Sequence, residues 1–335
     1  MALGEATHGA HEFFELKHRI IRYLVESHGF TVIAFEANMP ESRAVDEYIS
    51  GGPGDAAEAL GGLFQVWNTR EVLGLVEWLR QHNASATVPV EFHGFDIQSS
   101  GAAARVVLDF LEHFDADFLA TAQDLYQPAL ELGREPNASR FLRLAPSLLR
   151  GGRVVLDHLS AGRKAYAANA PETETEWAVR NALLVVQMGE HAYDNLNSRD
   201  RSMADNVLWL LERDPDARII LWAHNIHVTE ARDVGYGVET RMGARLAAAI
   251  GDSYRSIGFV FAQGNRALDS SPRTPTEHAL PVAPTTLGGQ FHEVGEPLFF
   301  LDLGRLGDSP GGAWLKVKQR FRWLGWAAQA RRPCA

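Results

Sequence analysis

Short, continuously apolar, β-rich runs separated by helix-length amphipathic segments constrain this chain more than any other feature. The runs are Thr31–Phe35, Val88–Phe92, Arg218–Ala223 and Ser256–Phe261, with a bare Ala2-Leu3 at the start. Several lack the apolar–polar alternation of a one-sided sheet, as expected of strands covered on both faces. Between them, helical periodicity spans 11–28, 69–82, 199–213 and 238–250. Alternating strands and helices predict an α/β fold with a mostly parallel central sheet flanked by helices. The stretch 99–197 departs from this rhythm: Ala102–Phe114, Asp115–Leu132, Ala138–Ala161 and Glu172–Asn195 are all helical in period. It reads as a large helical insertion forming one wall or cap of a cleft, with 1–98 and 198–335 as the α/β catalytic core. The stretch 264–335, richer in Pro and Gly, shows no clear period.

In an open parallel sheet, sites form beyond the carboxyl ends of the strands. The residues following each run are therefore the candidates. Ala2-Leu3 leads into Gly4-Glu5-Ala6-Thr7-His8, the second run ends in Glu36, the third leads to His93-Gly94-Phe95-Asp96, and the fourth leads to His224-Asn225-Ile226-His227. If these strands are neighbours, carboxylates and imidazoles converge on one edge. Two helices extend the set. On 11–28 the apolar stripe is Phe13, Phe14, Ile20, Ile21 and Leu24, and Lys17 falls in its middle, whereas Glu12, Glu15 and Arg19 point away. A buried lysine requires a partner, and a cleft carboxylate is within its reach. On 199–213 the stripe is Met203, Val207, Leu210 and Leu211, continued backwards by Leu196, with Arg199 and Asp200 beside it. Both would enter the site from the first turn. Trp67 and Trp222 read as core, and His11, His18, His28 and His191 as surface or structural.

Other chemistries have less support. There is no G-x-S-x-G elbow around Ser253 or Ser256, and Gly51-Gly52-Pro53-Gly54 lacks the Lys-Ser/Thr of a phosphate loop. The single cysteine, Cys334, offers neither a disulfide nor a thiolate metal site. A net charge of -10 argues against nucleic-acid or anionic-membrane partners. No apolar run reaches membrane-spanning length and no basic-then-apolar leader is visible, so a cytoplasmic protein is expected.

The combination resembles the erythromycin esterase family. Gly4-Glu5-Ala6-Thr7-His8-Gly9, with Glu12, Lys17 and Phe35-Glu36, is similar to that family's opening. The likeness continues in Gly94-Phe95-Asp96, Arg199-Asp200-x-x-Met203-Ala204-x-Asn206 and Trp222-Ala223-His224-Asn225-x-His227-Val228. Met242-Gly243-x-x-Leu246 and Gly251-Asp252-x-Tyr254 carry it to about residue 265. The resemblance implies a metal-independent, cofactor-free esterase that opens the lactone of 14-membered macrolides. It implies a base at His8, carboxylates at Glu5 and Glu36, and site histidines at His224 and His227. A basic position corresponds to Lys17. The residue types suggest a mechanism in which His8 deprotonates water while Glu5 or Glu36 orients its ring. His224, Lys17 or Arg199 then meets the oxyanion, with Asp200 and Asp96 in support. Two rivals remain from the residues themselves: a metal-dependent hydrolase using the same imidazoles and carboxylates, and a non-enzymatic binder of a bulky ligand.

Overall fold

The computed structural model describes residues 1–132, 138–193, 195–231, 240–268 and 276–322. Cys334, the first two residues of the expected helix 238–250, and the side chain of Leu196 lie outside this description. The elements run β1 (Ala2–Leu3), α1 (His11–His28), β2 (Val32–Asn38), α2 (Met39–Ile49), α3 (Ala56–Leu60), α4 (Arg70–Asn83) and β3 (Glu91–Asp96). Four helices follow without a strand: α5 (Gly101–Phe114), α6 (Ala116–Leu132), α7 (Ala138–Tyr166) and α8 (Glu172–Glu190). Then come α9 (Asn195–Arg213), β4 (Ile219–Trp222), α10 (Asn225–Val228), α11 (Met242–Ile250), β5 (Ser256–Ile257), β6 (Gly264–Leu268), β7 (Thr276–Leu280), α12 (Leu287–His292) and α13 (Pro310–Leu315). Among the described residues no helix is long and apolar enough to cross a membrane.

Five strands form one parallel sheet in the order β3-β2-β4-β1-β5, and β6 and β7 form a separate antiparallel pair. Side chains alternate across the sheet. Leu3, Ile33, Phe35, Ile220 and Trp222 join the α1 and α4 side, whereas Ala2, Ala34, Leu221 and Ala223 join the α9 and α11 side. Both faces are thus buried, which explains the unbroken apolar runs. The connection leaving β1 passes over β4 to reach β2, and the one leaving β4 passes over β1 to reach β5. The two neighbouring strands therefore diverge to opposite faces, and their carboxyl ends mark the switch point where a crevice opens. A third core, built by α5–α8, takes in Met39 and Ile97 from the ends of β2 and β3.

Two strands differ from expectation. β3 begins at Glu91 rather than Val88. Pro89 has no N–H to offer, and the Asn83 side chain takes both the N–H and the C=O of Val90 at 2.8 Å. Pairing with β2 starts only at Glu91, opposite Val32, and Asp96 is the last strand residue. β5 stops at Ile257, because the Asn225 amide takes the C=O of Phe259 at 2.7 Å and its N–H at 3.1 Å. The two-residue β1 is central in the sheet. Its ladder is prolonged on both sides by Gly4 N–H to Ile257 C=O and by Asn225 N–H to Glu5 C=O, each at 2.8 Å.

Candidate active site

The first motif turns sharply after β1. A Cβ on Gly4 would overlap Asn225 Oδ1, so the position must be glycine for the β1 and β4 ends to close together. Gly9 has φ 72°, a left-handed turn that lets the chain reverse into α1 immediately after His8. In α1, burying Phe13, Phe14, Ile21 and Leu24 contributes on the order of 1.5–3 kcal/mol each. Together these exceed the several kcal/mol of desolvating one paired cation. The apolar face sets the helix rotation and carries Lys17 inside, as its place in the stripe predicts.

Lys17 and Glu5 both have no solvent exposure, and Lys17 Nζ donates to Glu5 Oε2 at 2.7 Å. Trp222 Nε1 donates to the same oxygen at 2.9 Å. The other oxygen, Oε1, lies 2.5 Å from His8 Nδ1. Burial raises the Glu5 pKa, but the Lys17 charge and the His8 hydrogen bond outweigh it and hold the carboxyl below its ordinary range. An ionised Glu5 can only accept, so Nδ1 carries the His8 proton and Nε2 holds the lone pair. Burial opposes protonation of His8, yet the Glu5 hydrogen bond and the Glu5 and Glu36 charges leave its pKa raised above 6.5. Burial pushes the Lys17 ammonium down to about 8 against the pull of Glu5.

A second group adjoins the first. Arg199 forks onto Asp96, with Nε to Oδ1 at 3.0 Å and Nη2 to Oδ2 at 2.7 Å, and Nη2 also meets Glu36 Oε1 at 2.7 Å. Arg199 Nη1 points at His227 Nε2 at 3.2 Å, and His227 Nδ1 lies 3.0 Å from Asp200 Oδ1. Burial alone would raise the Glu36 carboxyl, but His227, Arg199 and His8 bring it far below the ordinary range. His224 links the two groups. Its N–H donates to Glu36 Oε2 at 2.8 Å, and its ring meets that of His8 edge-on at 5.5 Å between centroids. Its Nδ1 accepts the Ile226 N–H at 3.2 Å, which places its proton on Nε2. Burial, reinforced by His8, lowers its pKa to about 3, so it is a neutral donor at physiological pH.

All nine sequence candidates, Glu5, His8, Lys17, Glu36, Asp96, Arg199, Asp200, His224 and His227, therefore share one network at the carboxyl edge. Exposure separates them. The side chains of His8 and Arg199 are 12% and 16% exposed, whereas Glu5, Lys17, Asp96 and Asp200 are at 0%. α9 starts at Asn195, one turn earlier than expected, so Arg199 and Asp200 enter from its second turn. Four residues outside these nine also adjoin the network. Trp222 and Trp67 are core residues, yet Trp222 also serves Glu5, and Trp67 donates to Glu36 C=O at 3.1 Å and meets the His8 ring edge-on. Arg241 is buried, with Nη1 3.3 Å from Asp200 Oδ2. His191 is buried as well, and burial lowers its pKa to about 4 although Asp96 opposes this. Among the described residues no three His, Cys, Asp or Glu side chains are arranged to hold a metal ion.

The erythromycin esterase family model matches residues 25–333. Erythromycin esterase type II of Escherichia coli is 29% identical over 297 residues, which cover 80% of this chain and 70% of that protein. A crystal structure of a Bacillus cereus protein superposes with a TM-score of 0.84 at 24% identity, covering 98% of this chain and 83% of the other. An erythromycin esterase mutant in its open conformation gives a TM-score of 0.69 at 18% identity, with coverage of 87% and 79%. With a family match spanning nearly the whole chain, this protein belongs to the erythromycin esterase family of hydrolases.

Proposed function

We propose that this hydrolase opens the lactone ring of 14-membered macrolides, with water activated by His8 and without a metal ion. The observation that carries the reading is the His8–Glu5 pair. Nδ1 is tied to an ionised, fully buried carboxylate, and Nε2, on a side chain that keeps some exposed surface, takes no hydrogen bond from the described residues. Such a ring is oriented, has its tautomer set, and gains an anion that stabilises the imidazolium. His224, held neutral by burial, has too little proton affinity to serve as base.

In the proposed reaction, His8 Nε2 removes a proton from water as its oxygen bonds to the ester carbonyl carbon. Arg199, the cation of the site with exposed surface, favours the oxyanion, and the neutral His224 ring packs edge-on against His8. Collapse breaks the bond to the ring oxygen, which takes the proton from His8, leaving an open-chain hydroxy acid. Lys17, with no exposed surface, neutralises Glu5 rather than meeting substrate. The α5–α8 insertion (99–197) forms one wall or cap of the cleft. This is supported by Met39 and Ile97, which leave the carboxyl ends of β2 and β3 and pack into the insertion's own core. The macrolide assignment rests on the name of the Escherichia coli relative and on family membership.

The test is incubation with a panel of macrolides followed by mass spectrometry. Hydrolysis gives a mass gain of one water. His8→Ala abolishes that gain while leaving the far-UV circular dichroism unchanged. A folded His8→Ala variant with undiminished turnover overturns the assignment of the base.

A further inference from the structure

We propose that Arg241 is a positioning residue that aims Arg199 through Asp200 and His227. The inference rests on the hydrolase reading above for the role of Arg199, but its geometry stands alone. Arg241 precedes α11, is 1% exposed, and directs Nη1 to Asp200 Oδ2 at 3.3 Å. Asp200 Oδ1 receives the Met242 N–H at 2.8 Å and faces His227 Nδ1 at 3.0 Å. Both oxygens of a buried carboxylate are thereby fixed, and its rotation is locked. An ionised Asp200 requires the proton of His227 on Nδ1. His227 Nε2 is then an acceptor, the role that the Arg199 Nη1–H needs at 3.2 Å.

The alternative state is visible in the same geometry. A His227 with its proton on Nε2 would present a donor to the Arg199 Nη1–H and would turn that proton instead to Glu36 Oε1, 3.4 Å away. The groups facing the ring are Asp200 and Arg199 from α9, Glu36 from β2 and His224 from the end of β4, with Asp96 of β3 behind Arg199. Without Arg241, Asp200 Oδ2 loses the guanidinium that holds it, and the carboxylate can turn away from His227 Nδ1, which frees the ring proton to sit on Nε2. Arg241 thus keeps His227 an acceptor and Arg199 in its fork.

The test combines imidazole 15N NMR with kinetics on Arg241→Met and Arg241→Gln, the latter retaining one donor for Asp200. In the unsubstituted protein at neutral pH, His227 is expected as the Nδ1–H tautomer. Arg241→Met is expected to populate the Nε2–H tautomer of His227 and to lower kcat about tenfold, a size typical of couplings inside one hydrogen-bond network. Arg241→Gln is expected to lie between. Adding Arg241→Met to Asp200→Asn is expected to cost little beyond Asp200→Asn alone. Unchanged His227 resonances in folded Arg241→Met overturn the proposal, as do effects of Arg241→Met and Asp200→Asn that multiply independently. The NMR arm remains decisive even if no ester is turned over.

Discussion

Replacing Lys17 by Met isolates the electrostatic core of the site, because Met preserves most of the alkyl stem and removes only the ammonium. In the native protein both members of the Lys17–Glu5 pair are fully buried. In a His8→Ala background, where no imidazole beside Oε1 can take up a proton in place of the ammonium, Glu5 has two courses once the cation is gone. Remaining ionised and unpaired costs about 3–5 kcal/mol, the usual result of removing one partner of a buried pair. Taking a proton at pH 7 costs a carboxyl of ordinary pKa 4.5 about 3.4 kcal/mol. The smaller cost governs, so in that background Lys17→Met should destabilise the fold by about 3 kcal/mol at pH 7. At pH 5 the same protonation costs only about 0.7 kcal/mol, and the deficit should shrink accordingly. Urea denaturation at the two pH values reads this difference. Lys17→Met/Glu5→Gln should recover much of the loss at pH 7, because no buried charge is then left unpaired. A deficit below about 1 kcal/mol at pH 7, or one equal at the two pH values, would refute the argument. Activity provides a second readout. Where His8 is retained, Lys17→Met removes the positive charge that lowers the His8 pKa, the ring takes the proton beside Glu5, and the acid limb of the pH–rate profile moves to higher pH.

Further expectations follow from the same pairings. The proposed mechanism needs His8 as free base, and the His8 pKa is raised. Its kcat/KM should therefore fall with acidification through a midpoint above 6.5, and a midpoint near that of His224, about 3, would point to a different base. Trp222→Phe keeps the ring in the core but removes the N–H held 2.9 Å from Glu5 Oε2. Hydrogen bonds to charged groups are worth about 1.5–3 kcal/mol. Part of that should appear as lowered stability and part as a reduced kcat at nearly unchanged KM, both measurable on one purified variant.

Much of this arrangement is legible in the chain because it obeys local periodicities. The 3.6-residue repeat fixes α1 at His11–His28 and places Lys17 on the buried face, where the structure puts it. It likewise places Arg199 and Asp200 beside the α9 stripe. The ends of the apolar runs name Glu5, Glu36, His224 and His227, since a parallel sheet gathers the carboxyl ends of its strands. What is not legible depends on single side chains reaching across the fold. Asn83 delays β3 and Asn225 shortens β5, each by capturing backbone groups that an apolar run would otherwise pair in the sheet. Arg241 has no stripe to flag it, and its partner lies on another helix. Trp222 reads as core by type and is core. Only its N–H, aimed at a carboxylate, ties it to the chemistry.

The site contains two imidazole–carboxylate pairs built alike and left in different states. His8 leans on Glu5, whose far oxygen is held by Lys17 and Trp222. His227 leans on Asp200, whose far oxygen is held by Arg241. In both, a buried anion sets the tautomer through Nδ1. The difference lies at the other nitrogen. That of His227 faces the Arg199 guanidinium and is occupied, so the pair holds a cation in place. That of His8 takes no hydrogen bond from the described residues, and its ring retains exposed surface. Residue type and burial cannot distinguish a catalytic histidine from a structural one here, since both rings are mostly buried beside carboxylates. The occupancy of Nε2 does, and it is the ground on which His8 is proposed as the base and His227 as the support for Arg199.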